Sequence, residues 1–249
     1  MFKHYANSRS FKNNLSIASL LSFTAGVVNV CGYLSIRQLT TNVTGHFAFF
    51  VEEVDRLKVW EGMIYLYYIL FFLLGSFTSN LIVEYMLKRN KEISFIVPVV
   101  VEIILLSLVG YFGDSLVLNF SNVIAFTLLF TMGLQNALVT KISKASVRTT
   151  HLTGLFTDLG IELSQLFYFT TPAQRATLIN SIKLRLTIIL FFFIGGVVSG
   201  VLYFKLHLNT LLIASLILTI GLFWNKIRLE WILIKRKFLI SLQKNGNLR

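Results

Sequence analysis

Six long apolar stretches separated by short polar segments organise the chain. Most approach the 20 or so residues that a helix needs to cross roughly 30 Å of hydrocarbon. This pattern predicts an all-α membrane protein with six transmembrane helices. The stretches are Ser16–Ser35, Met63–Met86, Phe95–Phe112, Asn122–Thr140, Thr187–Leu206 and Leu208–Trp224.

Two further segments, residues 41–58 and 149–169, are moderately apolar but carry acids, hydroxyls and glycines. Lysine and arginine decide whether these segments cross, because both residues concentrate on the cytoplasmic side of membrane proteins. If both segments crossed completely, the basic cluster at residues 88–91 would lie on the outer face of the membrane, which otherwise has few lysines and arginines. We therefore predict that both are re-entrant or broken short helices, one entered from each side.

With six spans, one face carries all but four of the 23 lysine and arginine residues, the exceptions being Arg37, Arg56, Lys58 and Lys205. This distribution predicts a multi-pass plasma membrane protein of the bacterial inner membrane type, with both termini cytoplasmic. Residues 1–15 form a cytoplasmic segment. The basic tail, residues 225–249, is either an interfacial helix or an extension of the last span, and its charge pattern favours the interfacial helix.

Composition excludes several classes of function. The chain is 55% hydrophobic and has a formal net charge of +12, but the charge follows the predicted topology, so we expect no nucleic-acid partner. A single cysteine, Cys31, excludes a disulfide framework and a multi-cysteine metal site. Because no nucleotide-binding loop, catalytic triad or zinc motif is present, we expect no cofactor, no metal and no enzymatic activity.

Three motifs of the first half recur in the same order in the second half. Each repeated unit, residues 16–112 and 121–224, holds three spans and one short helix after its first span. Three is odd, so the second unit must enter the membrane from the opposite side, as in the inverted repeats of secondary transporters. The matching pairs are Phe23–Asn29 with Phe130–Asn136, Thr40–Gly45 with Thr149–Gly154, and Phe71–Ser79 with Phe191–Ser199.

The Thr-Gly pairs at Thr44-Gly45 and Thr153-Gly154 are candidate solute-binding residues. Threonine is a favourable helix N-cap, and glycine allows close backbone approach at a helix start. If both short helices begin near the midplane, their unpaired N–H groups and positive dipole ends converge, which suits an anion or a carboxylate. The alternative is that these residues only cap and pack helices.

Amide side chains accompany the Thr-Gly pairs. Asn29 and Asn136 each follow a glycine by three residues on the first span of their unit, and Gln135 adds an amide in the second unit only. These amides either contact the solute or tie the short helix to the span.

Ionisable residues inside a bilayer are costly, so Glu102, Asp158 and Glu162 are candidates for ion coupling or solute contact. Asp158 and Glu162 lie one helical turn apart on one face. Dipole compensation is the alternative for Asp158, and a buried protonated acid is the alternative for Glu102. Arg148 either supplies a positive charge at the inner mouth or only sets the topology.

These motifs resemble the YoaK-like family of small integral membrane proteins, a domain of unknown function. The residues that carry the resemblance are Ala25–Asn29, Gly32–Leu34, Asn42–His46, Met132–Ala137 and Val147–Leu159. The resemblance covers about residues 16–224 and implies six spans without naming a substrate. Asn29 stands where relatives commonly have Asp, and His46 where they commonly have Asn, so ion coupling at position 29 is in doubt.

The hypothesis that follows is a secondary transporter or channel-like protein for a small anionic or zwitterionic solute, bound between the two Thr-Gly helix starts. Its partners would be that solute and membrane lipid, and the sequence is compatible with a homo-oligomer. The main alternative is a non-transporting membrane protein that binds lipid or a partner protein through its basic tail. A membrane-embedded enzyme ranks third, because the candidate acids lack a paired base or metal set.

Overall fold

A computed structural model describes residues 11–89, 94–143, 149–168 and 171–223, and within these residues it is all helical, with no strand. Residues 210–223 form a further helix, α7, after a 3₁₀ turn at His207–Asn209. The preceding helices are α1 (Phe11–Ile36), α2 (Val43–Asp55), α3 (Val59–Arg89), α4 (Ile96–Ser143), α5 (Leu152–Gln165) and α6 (Pro172–Leu206). Arg148 and the basic tail lie outside the described residues.

Long apolar helices dominate this structure. Among the described residues, four helical stretches are long and apolar enough to cross a membrane: 14–36, 59–89, 96–143 and 172–223. Many large hydrophobic side chains on these stretches face outwards, which is the arrangement expected when lipid rather than water surrounds the protein. The chain therefore has the character of a multi-pass membrane protein.

The end of the bundle where α1 begins is here named the proximal face, and the end where α1 finishes is the distal face. Helix α7 lies antiparallel to α1, because Gly221 packs on Leu20 while the Sγ atom of Cys31 lies 3.8 Å from the carbonyl oxygen of His207. The chain thus turns at the distal face after α6. His207, with a φ of 46°, is the residue at which α6 ends.

Helix α4 also reverses direction. Its 48 residues are interrupted at Phe120, whose φ of −132° and ψ of 35° are not helical. Residues 96–119, the first half, run towards the distal face, where Gly113 packs on Leu208. Residues 121–143, the second half, run back, so that Gln135 reaches the carbonyl oxygen of Leu21 on α1.

Two pairs of helices pack with their backbones almost touching: α1 with α6, and α3 with the second half of α4. At four glycines, a Cβ atom would overlap a backbone carbonyl oxygen of the partner helix, so only glycine fits there. These contacts join Gly26 to Phe192, Gly195 to Phe23, Gly75 to Phe130 and Gly133 to Phe72. Both pairs join motifs from the first half of the chain to motifs from the second half.

Candidate functional site

Helix α2 begins well below the distal face. The chain leaves α1 at Ile36 and folds back along it, so that the Thr40 hydroxyl donates to the carbonyl oxygen of Val28 at 3.2 Å. The Thr41 hydroxyl donates to Oδ1 of Asn29 at 2.8 Å. Val28 lies eight residues before the end of α1, or about 12 Å along the helix. From this depth α2 returns towards the distal face.

Helix α5 begins in the same way from the proximal face. The Nε2 atom of Gln135 donates to the Thr149 hydroxyl at 3.1 Å. Gln135 lies eight residues before the end of α4 at Ser143, which is again about 12 Å. In the repeated motifs, Gln135 and Thr149 occupy the positions of Val28 and Thr40. Both halves of the chain therefore anchor their short helix through the same pair of positions.

The N-caps of the short helices differ from the prediction. Asn42 caps α2, because its Oδ1 accepts a hydrogen bond from the N–H of Gly45 at 3.0 Å. His151 occupies the N-cap of α5 and makes no side-chain capping bond. The prediction that Thr44 and Thr153 are N-caps is therefore wrong. Both helices begin earlier, and asparagine, at the position before α2, is among the strongest capping residues.

The starts of α2 and α5 meet at one cleft of about 1240 Å³. Most of the residues proposed from the sequence for solute binding line it, together with one of the three candidate acids. These residues are Thr44, Gly45, Thr153, Gly154, Asn29, Asn136 and Asp158. Other polar residues of the lining were not among the predicted candidates, although several lie inside the repeated motifs: Thr41, Asn42, Ser76, Thr150, His151 and Thr157.

Neutral hydrogen-bonding groups dominate the polar part of the cleft. In the described part of the chain, no lysine or arginine lines it, and its ionisable side chains are Asp158 and His151. The hydroxyls of Thr44 and Thr153 bond to no other described residue, so they are available to a ligand. The first backbone N–H groups of α2 and α5 add positive partial charge. The cleft is thus suited to a small polar solute that carries a carboxylate.

Three proposed residues lie outside the cleft lining. Gln135 is fully buried and bonds to Leu21 and Thr149, which is the tying role that the sequence left open. Glu162 is bound to α6. Glu102 is fully buried in the first half of α4, and neither of its carboxyl oxygens has a hydrogen-bond partner in the described chain.

An ionic cluster joins α5 to α6 on the proximal side of the cleft. The Arg185 guanidinium donates from Nη1 to Oδ2 of Asp158 at 2.8 Å and from Nε to Oε2 of Glu162 at 2.9 Å. The Ser181 hydroxyl donates to Oε1 of Glu162 at 2.6 Å. Arg185 is one of the basic residues that the charge distribution assigned to the cytoplasmic face, and it was not among the candidate site residues. Two acids one turn apart on an apolar helix were the signal that a cation faces them.

The described residues contain no group of three histidine, cysteine or acidic side chains that could hold a metal ion. Nor does any element of the described chain supply a nucleotide-binding loop. The polar residues of the cleft offer a solute hydrogen bonds and electrostatic attraction, and its apolar residues offer hydrophobic contact.

Comparison with known proteins identifies the family. No curated protein matches the chain, and no solved structure does. A family model described as a protein of unknown function, DUF1275, matches residues 17–224. This match agrees with the YoaK-like resemblance and covers the motifs that carry it. The chain is a helical, membrane-type protein that belongs to the DUF1275 family.

Proposed function

We propose that this protein is a secondary transporter for a small zwitterionic or anionic solute, which binds in the cleft between the starts of α2 and α5. The observation that carries the proposal is the meeting of two short helices, one from each half of the chain, at a single cleft lined by both polar and apolar residues. Discontinuous helices whose N-termini point at a substrate carboxylate are a recurring construction in transporters with repeated halves.

The proposed architecture is six membrane spans arranged as two inverted repeats. Support comes from helix direction, because α1 runs from the proximal to the distal face whereas the second half of α4, which repeats its motif, runs the opposite way. The matching anchors, Thr40 on Val28 and Gln135 on Thr149, provide further support. The reversals at Phe120 and at His207–Asn209 divide the two longest helical stretches into two spans each.

The proximal face would be cytoplasmic, because the basic residues concentrate there. The distal loops that follow α1 and α2 hold Arg37, Arg56 and Lys58. The proximal ends of the described helices hold a larger number of basic residues: Lys88, Arg89, Lys141, Arg175 and Lys183. In this arrangement α2 is re-entrant from outside and α5 is re-entrant from the cytoplasm.

Cysteine labelling tests this topology. In a Cys31→Ala background, Leu57→Cys places a thiol in the exposed distal turn after α2, and Ala173→Cys places one at the exposed proximal start of α6. A membrane-impermeant maleimide should label Leu57→Cys in intact cells and Ala173→Cys only in inverted vesicles. Labelling of both positions from the same side would exclude the proposed arrangement.

The charges of the cleft favour a zwitterion over a simple anion. The two helix starts attract a carboxylate, each contributing a partial positive charge. Asp158 and Glu162 share one guanidinium, that of Arg185, so the cluster beside the cleft keeps one excess negative charge and would repel an anion that lacks a positive group. A solute with both a carboxylate and an ammonium group satisfies both features, because its ammonium can approach Asp158.

The binding site is tested by removing two hydroxyls together. The double substitution Thr44→Val and Thr153→Val keeps side-chain volume but deletes one ligand hydrogen bond from each helix start. If each bond contributes about 1 kcal/mol, we expect solute affinity to fall roughly 30-fold. The measurement is a thermal-shift screen of purified protein against amino acids and monocarboxylates, followed by calorimetry on any ligand found.

The matched control is the double substitution Thr127→Val and Thr187→Val. The hydroxyls of these two threonines donate to the carbonyl oxygens of Val123 and Lys183 in their own helices, outside the cleft. We expect wild-type affinity in the control. Unchanged affinity in the Thr44 and Thr153 double variant would refute the site. Binding of monocarboxylates but not amino acids would show that the solute is an anion rather than a zwitterion.

A further inference from the structure

A second cavity of about 440 Å³, here named the vestibule, lies on the proximal side of the cleft between α1, α5 and α6. Both cavities are lined by His151, Gly154 and Asp158, all from the beginning of α5 or its N-cap. The first two turns of α5 therefore separate the vestibule from the cleft. A small movement of α5 away from α6 would join the two cavities.

Helix α5 is held against α6 largely by polar contacts. Arg185 binds Asp158 and Glu162 together, and the exposed fractions of the three side chains are 21% for Arg185, 50% for Asp158 and 13% for Glu162. The apolar part of this contact is small, because only Leu155 and Leu159 of α5 are buried. The Arg185–Asp158 pair is open to water on the Asp158 side, and ion pairs that water can reach are weak and reversible. This contact can therefore open without uncovering a large apolar surface.

Helix α2 is held against α3 by aromatic packing instead. His46 is fully buried and its ring lies 6.2 Å from that of Tyr65 and 5.0 Å from that of Tyr68. Gly62 brings the two helices together against Phe50. Opening this contact would expose the buried rings of His46 and Tyr68, which is more costly than separating partly solvated charges.

The contrast falls on matching positions of the two repeats. By the spacing of the third motif, in which Gly75 matches Gly195, Tyr65 occupies the place of Arg185. The two short helices thus have the same position in their repeats but different means of attachment. In the described chain, α5 combines an exposed ion pair with a cavity on the side away from the cleft.

We propose that α5 is the proximal gate of the cleft and that Arg185, by binding Asp158 and Glu162, is the latch that holds this gate against α6. The proposal rests on the proposed function, since a gate needs a solute path. It assigns α2 as the fixed half of the site. Releasing the latch lets the start of α5 move and exposes the cleft to the proximal side.

Thiol labelling measures the gate directly. In a Cys31→Ala background, Thr153→Cys reports access to the cleft beside the start of α5, and an impermeant maleimide is applied to inverted vesicles. Adding Arg185→Gln removes the cation from the latch, and we expect labelling to become about fivefold faster, as the loss of partly exposed ion pairs implies. Labelling of Thr44→Cys from the opposite side should not accelerate.

Two further variants control for a general loss of structure. Arg185→Glu combined with Glu162→Arg reverses the pair, and we expect it to restore slow labelling that Arg185→Glu alone has lost. Arg56→Gln breaks ion pairs to Glu52 and Glu53 that lie within the α2 segment and bridge no second helix. We expect Arg56→Gln to leave the labelling rate at Thr153→Cys unchanged.

The proposal is overturned if folded Arg185→Gln protein labels at the wild-type rate, or if the reversed pair fails to slow labelling. Equal acceleration by Arg56→Gln would also overturn it. The labelling rate is measured without solute. The labelling rate therefore tests the latch independently of the binding comparison at Thr44 and Thr153.

Discussion

Replacing Gly133 with alanine should lower the free energy of unfolding by about 3 kcal/mol, at the upper end of the usual cost of overpacking. The added methyl group would overlap the backbone oxygen of Phe72, and neither backbone can yield without separating α3 from α4. Gly26→Ala should have the same effect, because the corresponding overlap there is with Phe192. The measurement is the unfolding midpoint of purified protein in detergent.

The matched control is Gly160→Ala. Gly160 lies in α5, and an added Cβ there would meet nothing within 4 Å. The better helix propensity of alanine should leave stability unchanged or raise it by up to about 1 kcal/mol. Tolerance of alanine at both Gly26 and Gly133 would show that the close helix contacts do not hold the two pairs together.

The short helices could be placed from the sequence because local signals mark them. The segments predicted at 41–58 and 149–169 contain α2 and α5, and each begins with hydroxyl and amide residues followed by glycine. These residue types favour helix starts whatever surrounds them. The actual cap, Asn42, was missed because several good capping residues lie in succession and the sequence does not say which one the chain uses.

The turn between the predicted third and fourth spans was harder to anticipate. Residues 113–121 contain Gly113, Asp114 and several other turn formers, yet the chain stays helical to Asn119. The carboxylate of Asp114 bonds instead to the N–H of Leu208 and the side chain of Asn209, both at 3.0 Å. A side chain that would stabilise its own loop thus stabilises the turn before α7, and only the tertiary structure reveals this partner.

Helix pairing was not readable from hydropathy. Apolar side chains face both lipid and protein, so the apolar pattern of a membrane helix does not identify the helix against which it packs. The glycines at 26, 75, 133 and 195 lie inside the repeated motifs, but their positions do not indicate that α1 packs on α6. The partners of Arg185 were missed because they lie 23 and 27 positions away along the chain, so the two acids of α5 indicate a cation but not which one.

Replacing Glu102 with methionine should stabilise the protein while impairing transport. Glu102 lies on the buried side of α4 with Val99 and Leu106, and both its carboxyl oxygens lack partners in the described chain. A buried polar group without hydrogen bonds costs about 1–3 kcal/mol, and methionine of similar size removes that cost. The unfolding midpoint should therefore rise.

The same substitution at Glu61, whose side chain is 64% exposed, should change stability by no more than about 0.5 kcal/mol. A buried residue that lowers stability persists where function needs it, so we expect solute uptake into vesicles to fall in Glu102→Met and not in Glu61→Met. A stabilised Glu102→Met with full uptake would remove Glu102 from the transport mechanism. A destabilised variant would instead show that the carboxyl group has a structural partner.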